Sequence, residues 1–349
     1  MATVLTNEPQ SKSIRWYRSP IDHVELKRLY RKSDFKGGLQ TLGYLGLVCA
    51  TATTAIYSSL HWQWYWTLLA LFIHGTVYAF MINGVHELGH DTVFKTRKLN
   101  TVFVHVLAFL GWINHRMFEA SHVRHHRSTL HPPDDLEVVV PIKVTVRDFL
   151  RSAFVNPAGI VWVVKLHRRI ALQQFQGEWE LKLFPESNPE RRKSASDWAK
   201  TLLGGHAAIV VLGIALKLWL FPVVITLAPF YGGWLFFLCN NTQHVGLQDN
   251  ATDFRLCCRS FKLNPIPRFL YWQMNYHTEH HMYPGVPCYN LARLSKLIEH
   301  DLPPPPRGLL ATWRAISDVL KRQAVEPGYQ FEPVLPGRTE SCSAEKASI

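Results

Sequence analysis

Eighteen of the 349 residues are histidine, and their spacing says more than their number. Eight fall in three tight groups: His86-Glu-Leu-Gly-His90, His122-Val-Arg-His125-His126 and His277-Thr-Glu-His280-His281. Side chains three and four apart share a helix face, so on a helix each group becomes a comb of imidazoles aimed at one point. At this histidine content an H-x-x-H-H match is expected about 0.04 times by chance, and it occurs twice. Imidazole suits Zn, Cu, Fe and Ni alike. Eight rings exceed what one ion takes, so the pattern reads as a site for two metal ions. A closed structural zinc site would use four ligands, often cysteines, and none of the six cysteines lies in a comb. Nucleophile chemistry of the Ser-His-Asp kind is not visible.

Something must carry the combs to one place. Hydrophobic residues make up 47% and charged residues 18%, against about 25% charged in ordinary soluble chains, while the mean hydropathy is near zero at -0.04. That excludes a disordered chain. It also argues against a simple soluble enzyme and against a transporter built almost wholly of apolar spans. Residues 38–57 carry no charge, and neither do residues 65–83; about 20 apolar residues make one bilayer crossing. The linker between them, SSLHWQWYW, has the aromatic residues of a membrane interface. Residues 205–240 hold a single charge, Lys217, and suffice for two crossings with a turn near Lys217 and Pro222. The stretch 101–113 is short for a span and reads as re-entrant, interfacial or a buried cap.

The expected fold is therefore all-α: four transmembrane helices in two hairpins, with a helical cap on the cytosolic side that carries the histidine combs. Residues 1–37 are expected to form a basic N-terminal segment, 38–325 the membrane domain and 326–349 a flexible tail. Residues 147–175 read as an interfacial amphipathic helix pair and 186–197 as a polar linker. The formal charge of +12 lies in the flanks of the hairpins, so the positive-inside rule puts both termini and all three combs in the cytosol. The first residues are polar and basic with no apolar core, unlike a signal peptide. Anionic lipid is one partner for the basic flanks; an acidic redox protein meeting Arg191, Arg192 and Lys193 is another. No nucleic-acid-binding motif is present. The cysteines read as reduced and structural.

The three combs resemble the histidine boxes of the integral-membrane fatty acid desaturase superfamily, a group of di-iron oxygenases that includes hydroxylases. HELGH, HVRHH and HTEHH fill the family's pattern in order around two hairpins, over about residues 35–310. The resemblance implies two iron ions, O2-dependent desaturation of a fatty acyl or lipid-like chain, and a separate electron donor of cytochrome b5 or ferredoxin type. It also implies a ninth ligand after the last span, which NNTQHVGL supplies as His244, and a water-mediated ligand in Asn240, one turn earlier. The metal set is then His86, His90, His122, His125, His126, His244, His277, His280 and His281, with Asn240 through water. The first box has three intervening residues and the third begins with His277 rather than Gln, so the chain looks more like an acyl-lipid, omega or natural-product-tailoring member than a stearoyl-CoA or front-end type. No His-Pro-Gly-Gly haem motif is present. Hydroxylation on the same scaffold is the alternative outcome, and a membrane zinc hydrolase or receptor is the alternative of another class.

Other residues are placed in supporting roles. Asp134, Asp135, Glu137 and Asp249 are candidates to orient ligand imidazoles, because a ligating histidine usually donates its other ring N–H. His115, His131 and His206 are candidates for the surroundings of the site, and His74 for packing. Glu87 and Glu279, inside boxes, are expected to point off the comb face and to cap or pair locally. Cys257 and Cys258 are expected to pack. Trp64, Trp66, Trp112, Trp234 and Phe237 are candidates to line a substrate channel.

Overall fold

A computed structural model describes residues 14–337. Among them there is no strand, only three isolated β-bridges. The helices run α1 (His23–Leu29), α2 (Asp34–His61), α3 (Trp64–Tyr78), α4 (Met81–Gly89), α5 (Arg97–Leu110), α6 (His115–Ser128), α7 (Val146–Ala153), α8 (Pro157–Ala171) and α9 (Gly177–Leu183). They continue as α10 (Pro189–Ala215), α11 (Leu220–Ile225), a 3-10 turn (Ala228–Phe230), α12 (Trp234–Asn240), α13 (Phe254–Cys257), α14 (Pro265–Leu270), α15 (His277–Met282), α16 (Cys288–Leu297), a second 3-10 turn (Glu299–Asp301) and α17 (Leu309–Val325). The N-terminal segment is described only from residue 14 and the tail only to residue 337; Lys12 and Cys342 lie outside the described residues.

The first hairpin forms as its composition dictates. The Ser33 hydroxyl caps α2 by accepting from the Lys36 amide at 3.3 Å. The long uncharged helix then runs to a turn at 62–63, and α3 returns antiparallel. Polar groups inside the pair find one another, as a medium without water requires: Tyr44 Oη donates to the Val77 carbonyl at 3.0 Å, and Ser58 and Thr67 hydroxyls meet at 3.1 Å. The chain stays helical through α4 with only a local break at 79–80, so 64–89 behaves as one apolar unit. Three helical units among the described residues are long and apolar enough to cross a membrane: Asp34–His61, Trp64–Gly89 and Pro189–Ala215.

The third unit starts earlier than the sequence suggests. Residues 189–197, read as linker, are the first turns of α10, which Asn188 caps by accepting from the Arg191 amide, with Pro189 in the first turn. Polar composition hid an Asn-Pro start signal. Beyond α10 the chain turns through Lys217 at φ 58°, and the return is broken into α11, the 3-10 turn and α12. Its freed carbonyls are taken up by side chains from neighbouring helices: Val224 by His74 at 2.8 Å, Ile225 by Tyr78 at 3.2 Å, Thr226 by Trp112 at 2.9 Å and Gly232 by Thr76 at 2.9 Å. Gly75 lets the backbone approach, since a Cβ there would sit 2.2 Å from the Tyr231 carbonyl oxygen. The break is tolerated because these side chains satisfy the backbone groups it frees.

Of the stretch 101–113, residues 101–110 belong to α5, which packs on α4, and the expected amphipathic pair is α7 and α8. The main core gathers Tyr44, Phe80, Phe254, Phe261, Tyr271 and Trp272, all fully buried, each burial contributing about 1.5–3 kcal/mol before entropy is counted. This core joins the first hairpin to the segment 254–283, and so brings the first box to the third.

Candidate metal centre

The first box ends α4, the second lies along α6 and the third forms α15. The nine imidazoles converge into two adjoining clusters. His86, His90, His122, His126 and His280 make one; His125, His244, His277 and His281 make the other, and within each the ligand atoms lie within 4.8 Å of one another. The clusters touch through His126 and His281, whose ring centroids are 4.3 Å apart. Asn240 stands outside both, on the wall of a cavity of about 280 Å³ that His244 and Glu137 also line.

Five rings are fixed by the hydrogen bond of Nδ1. It donates from His86 to Glu87 at 3.0 Å, from His122 to Glu137 at 2.9 Å, from His125 to Asp135 at 2.8 Å and from His244 to the Cys257 carbonyl at 2.8 Å. Thr129 gives its own proton to the His125 carbonyl at 2.7 Å, so it accepts from His281 Nδ1 at 3.1 Å. Each of these rings therefore turns a bare Nε2 lone pair inward.

The Nε2 atoms of the cage crowd together: His122 and His126 at 2.9 Å, His244 and His277 at 2.9 Å, His277 and His281 at 3.1 Å, His126 and His280 at 3.2 Å. A single N–H on His277 cannot serve both His244 and His281. A cation can: donors at about 2.1 Å from an ion and at right angles to each other are separated by about 3.0 Å. The residues present fit a pair of metal ions, and Nε2 of His86 and of His90, buried without a partner, gain one in the same way.

Burial holds the cage in its neutral, ligating form. It lowers the pKa of His90 and His244 to about 3, with the neighbouring imidazoles His86 and His125 respectively adding to the effect. His122, His126, His277, His280 and His281 are held well below the usual range for the same two reasons. His125 differs. Burial opposes its proton, but the bond to Asp135 and the charges of Glu137 and Asp135 outweigh that and raise its pKa.

The supporting residues divide. Asp135 and Glu137 do orient box imidazoles. Asp134 instead pairs with Lys182 at 3.0 Å, and Asp249 accepts from Gln330 at 2.9 Å. Glu87 pairs locally, with the adjacent His86, and its carboxyl also lies 3.8 Å from His280 Nδ1. Glu279 accepts from Ser260 and touches no box ring. His115 sits against His105 and Trp198, His131 against Trp16, and His74 and His206 hold hairpin backbone. Cys257 and Cys258 are buried. Trp64 and Trp66 are 71% and 48% exposed at the hairpin turn, whereas Trp112 and Trp234 donate to Thr226 and Thr76. Thr129 and the Cys257 carbonyl escaped sequence reading, since neither residue type signals such a role.

The profile described as Fatty acid desaturase matches residues 60–313, a stretch that contains all nine histidines. The chain belongs to the fatty acid desaturase family. Curated proteins compared with it give no match. Within that family the histidine boxes of this desaturase-family chain are the residues that could bind metal, and membership indicates an oxidoreductase.

Proposed function

We propose that the chain is a multi-pass membrane oxidase that holds two iron ions and desaturates a fatty acyl or lipid-like chain with O2. The observation that carries this is the pair of adjoining all-imidazole clusters, in which Glu87, Glu137 and Asp135 hold the Nδ1 atoms of His86, His122 and His125. One cluster is held by His86, His90, His122, His126 and His280 and the other by His125, His244, His277 and His281, with Asn240 contributing through water. Bound iron supplies oxygen reduction and removal of hydrogen from an unactivated C–H bond. The chain's own residues do the rest. Glu87, Asp135 and Glu137 keep the ligand rings oriented and basic. The packed core around Phe80, Tyr271 and Trp272 excludes water. The cavity beside His244 and Asn240, walled by Val138, Val139 and Ile142, is where a lipid chain reaches the site.

The broken segment 218–240 is the fourth crossing in this reading, closing two hairpins whose box-bearing ends and termini face the cytosol. Electrons come from a separate protein of cytochrome b5 or ferredoxin type. Co-expression with a reductase and mass spectrometry of total lipids tests the reaction. Loss of two hydrogens from a lipid is the expected result. Gain of one oxygen makes the chain a hydroxylase. Zinc at about one per chain with no oxygen uptake overturns the proposal.

A further inference from the structure

Ser121 and Trp179 belong to neither cluster, yet they end a hydrogen-bonded chain that begins on a box histidine. His122 Nδ1 donates to Oε1 of Glu137 at 2.9 Å, and the other oxygen of that carboxyl, Oε2, accepts from Ser121 Oγ at 2.6 Å. Trp179 Nε1 in turn donates to Ser121 Oγ at 3.1 Å. The groups themselves set the direction of this chain. An indole N–H can only donate, and a hydroxyl carries one proton, so the Ser121 hydroxyl accepts from Trp179 and gives its proton to Glu137. A serine within a helix can otherwise turn its hydroxyl to the carbonyl one turn back. The indole of Trp179 opposes that by engaging the same oxygen from outside α6.

Trp179 stands on α9, whose seven residues are too few to hold a helix unaided. Its place is set from outside. Arg169 grips Glu180 through two bonds, at 2.5 and 2.6 Å, and Leu183 is buried in a cluster with Ile170 and Phe184. Lys182 reaches the Pro133 carbonyl at 2.7 Å and Asp134 at 3.0 Å. The helix therefore meets the loop that carries Asp135 and Glu137 twice, once through Lys182 and once through Trp179 and Ser121. We propose that Trp179 is a positioning residue of the metal centre: through Ser121 it fixes the carboxyl of Glu137, and through Glu137 the ring of His122. This rests on the reading of the histidine clusters as a metal centre, and not on which ion they hold or which reaction follows.

Titration of the metal-free full chain in lipid nanodiscs with Co2+ alone, against a graded chelator, tests it without turnover. Trp179→Phe keeps an aromatic ring and loses the N–H. It should bind Co2+ about three- to ten-fold more weakly than the parent, less than the roughly 10–100-fold lost with a direct partner of a ligand. Ser121→Ala should weaken binding at least as much, and the double variant should be no weaker than Ser121→Ala alone, because both residues act through one chain. The visible absorption bands of the bound Co2+ should shift in Trp179→Phe as the hold on His122 changes. Unchanged affinity in Trp179→Phe overturns the proposal whether or not Ser121→Ala folds. Additive losses in the double variant, or weaker binding with unshifted bands, make Trp179 a packing residue and overturn it as well. A parent chain that binds no Co2+ overturns the metal centre itself, and this inference with it.

Discussion

The Nδ1–H of His125 meets Oδ2 of Asp135 at 2.8 Å, and both side chains are buried. Asp135 is itself held by the amides of Leu130 and Glu137 at 2.9 Å each. The loop that follows α6 thus folds back to clamp a ring from the helix it has just left. Asp135→Asn keeps the shape and removes the charge. Metal affinity should fall about 10–100-fold, measured as iron per chain after dialysis against a graded chelator. Unchanged affinity would mean that the carboxylate has only a structural role.

Each cluster should be separable by mutation. His277→Ala removes a ring from the four-membered cluster, and His90→Ala one from the five-membered cluster. Both variants should insert into membranes, lose turnover and retain less metal than the parent, read by elemental analysis of purified protein. Full metal content in both would remove these residues from the site.

Acid should loosen the metal-free protein. Histidine in an unfolded chain takes a proton near pH 6.5, whereas His90 and His244 resist protonation until about pH 3 when folded. Between those values the unfolded state binds more protons, so stability falls as pH falls. His125, Glu137 and Glu279, with raised pKa, act in the opposite sense: each contributes stability below its unfolded value and loses it as pH rises through its folded value. They are outnumbered by the lowered histidines. The melting temperature of the metal-free chain should therefore drop between pH 7.5 and pH 5.5, and a flat profile would contradict burial of neutral rings.

Gly84 is a packing test. A Cβ there would lie 2.3 Å from Leu107 and 2.8 Å from Trp272. Gly84→Val must push α4 off α5, at a cost of about 1–3 kcal/mol, and displace His86 with it. Both the melting temperature and iron retention should fall; loss of neither would show that the contact relaxes freely.

The box histidines could be read from sequence because ligand spacing on a helix is a local property. Asp135 and Glu137 were visible as candidates for the same reason, lying within a few residues of the second box. Local pairing of Glu87 could be read from its place beside His86, whereas only the arrival of α15 gives it His280 as a second neighbour. The broken return after α10 is likewise tertiary. An unbroken crossing and one interrupted at 226–233 have the same apolar composition, and what permits the break is the set of hydroxyls and rings on other helices. Asn188-Pro189 did signal a helix start, but the charged residues after it obscured that.

Because each cluster takes rings from α15 (His280 in one, His277 and His281 in the other) as well as from the second box about 150 residues earlier, neither can be assembled before α15 has been made. A nascent chain must hold its early histidines in readiness while well over a hundred further residues are synthesised, and a product cut short before α15 would be inserted yet unable to close either cluster. Ion loading is thereby made to wait for α15, and molecules that stop short of it are left without a closed cluster.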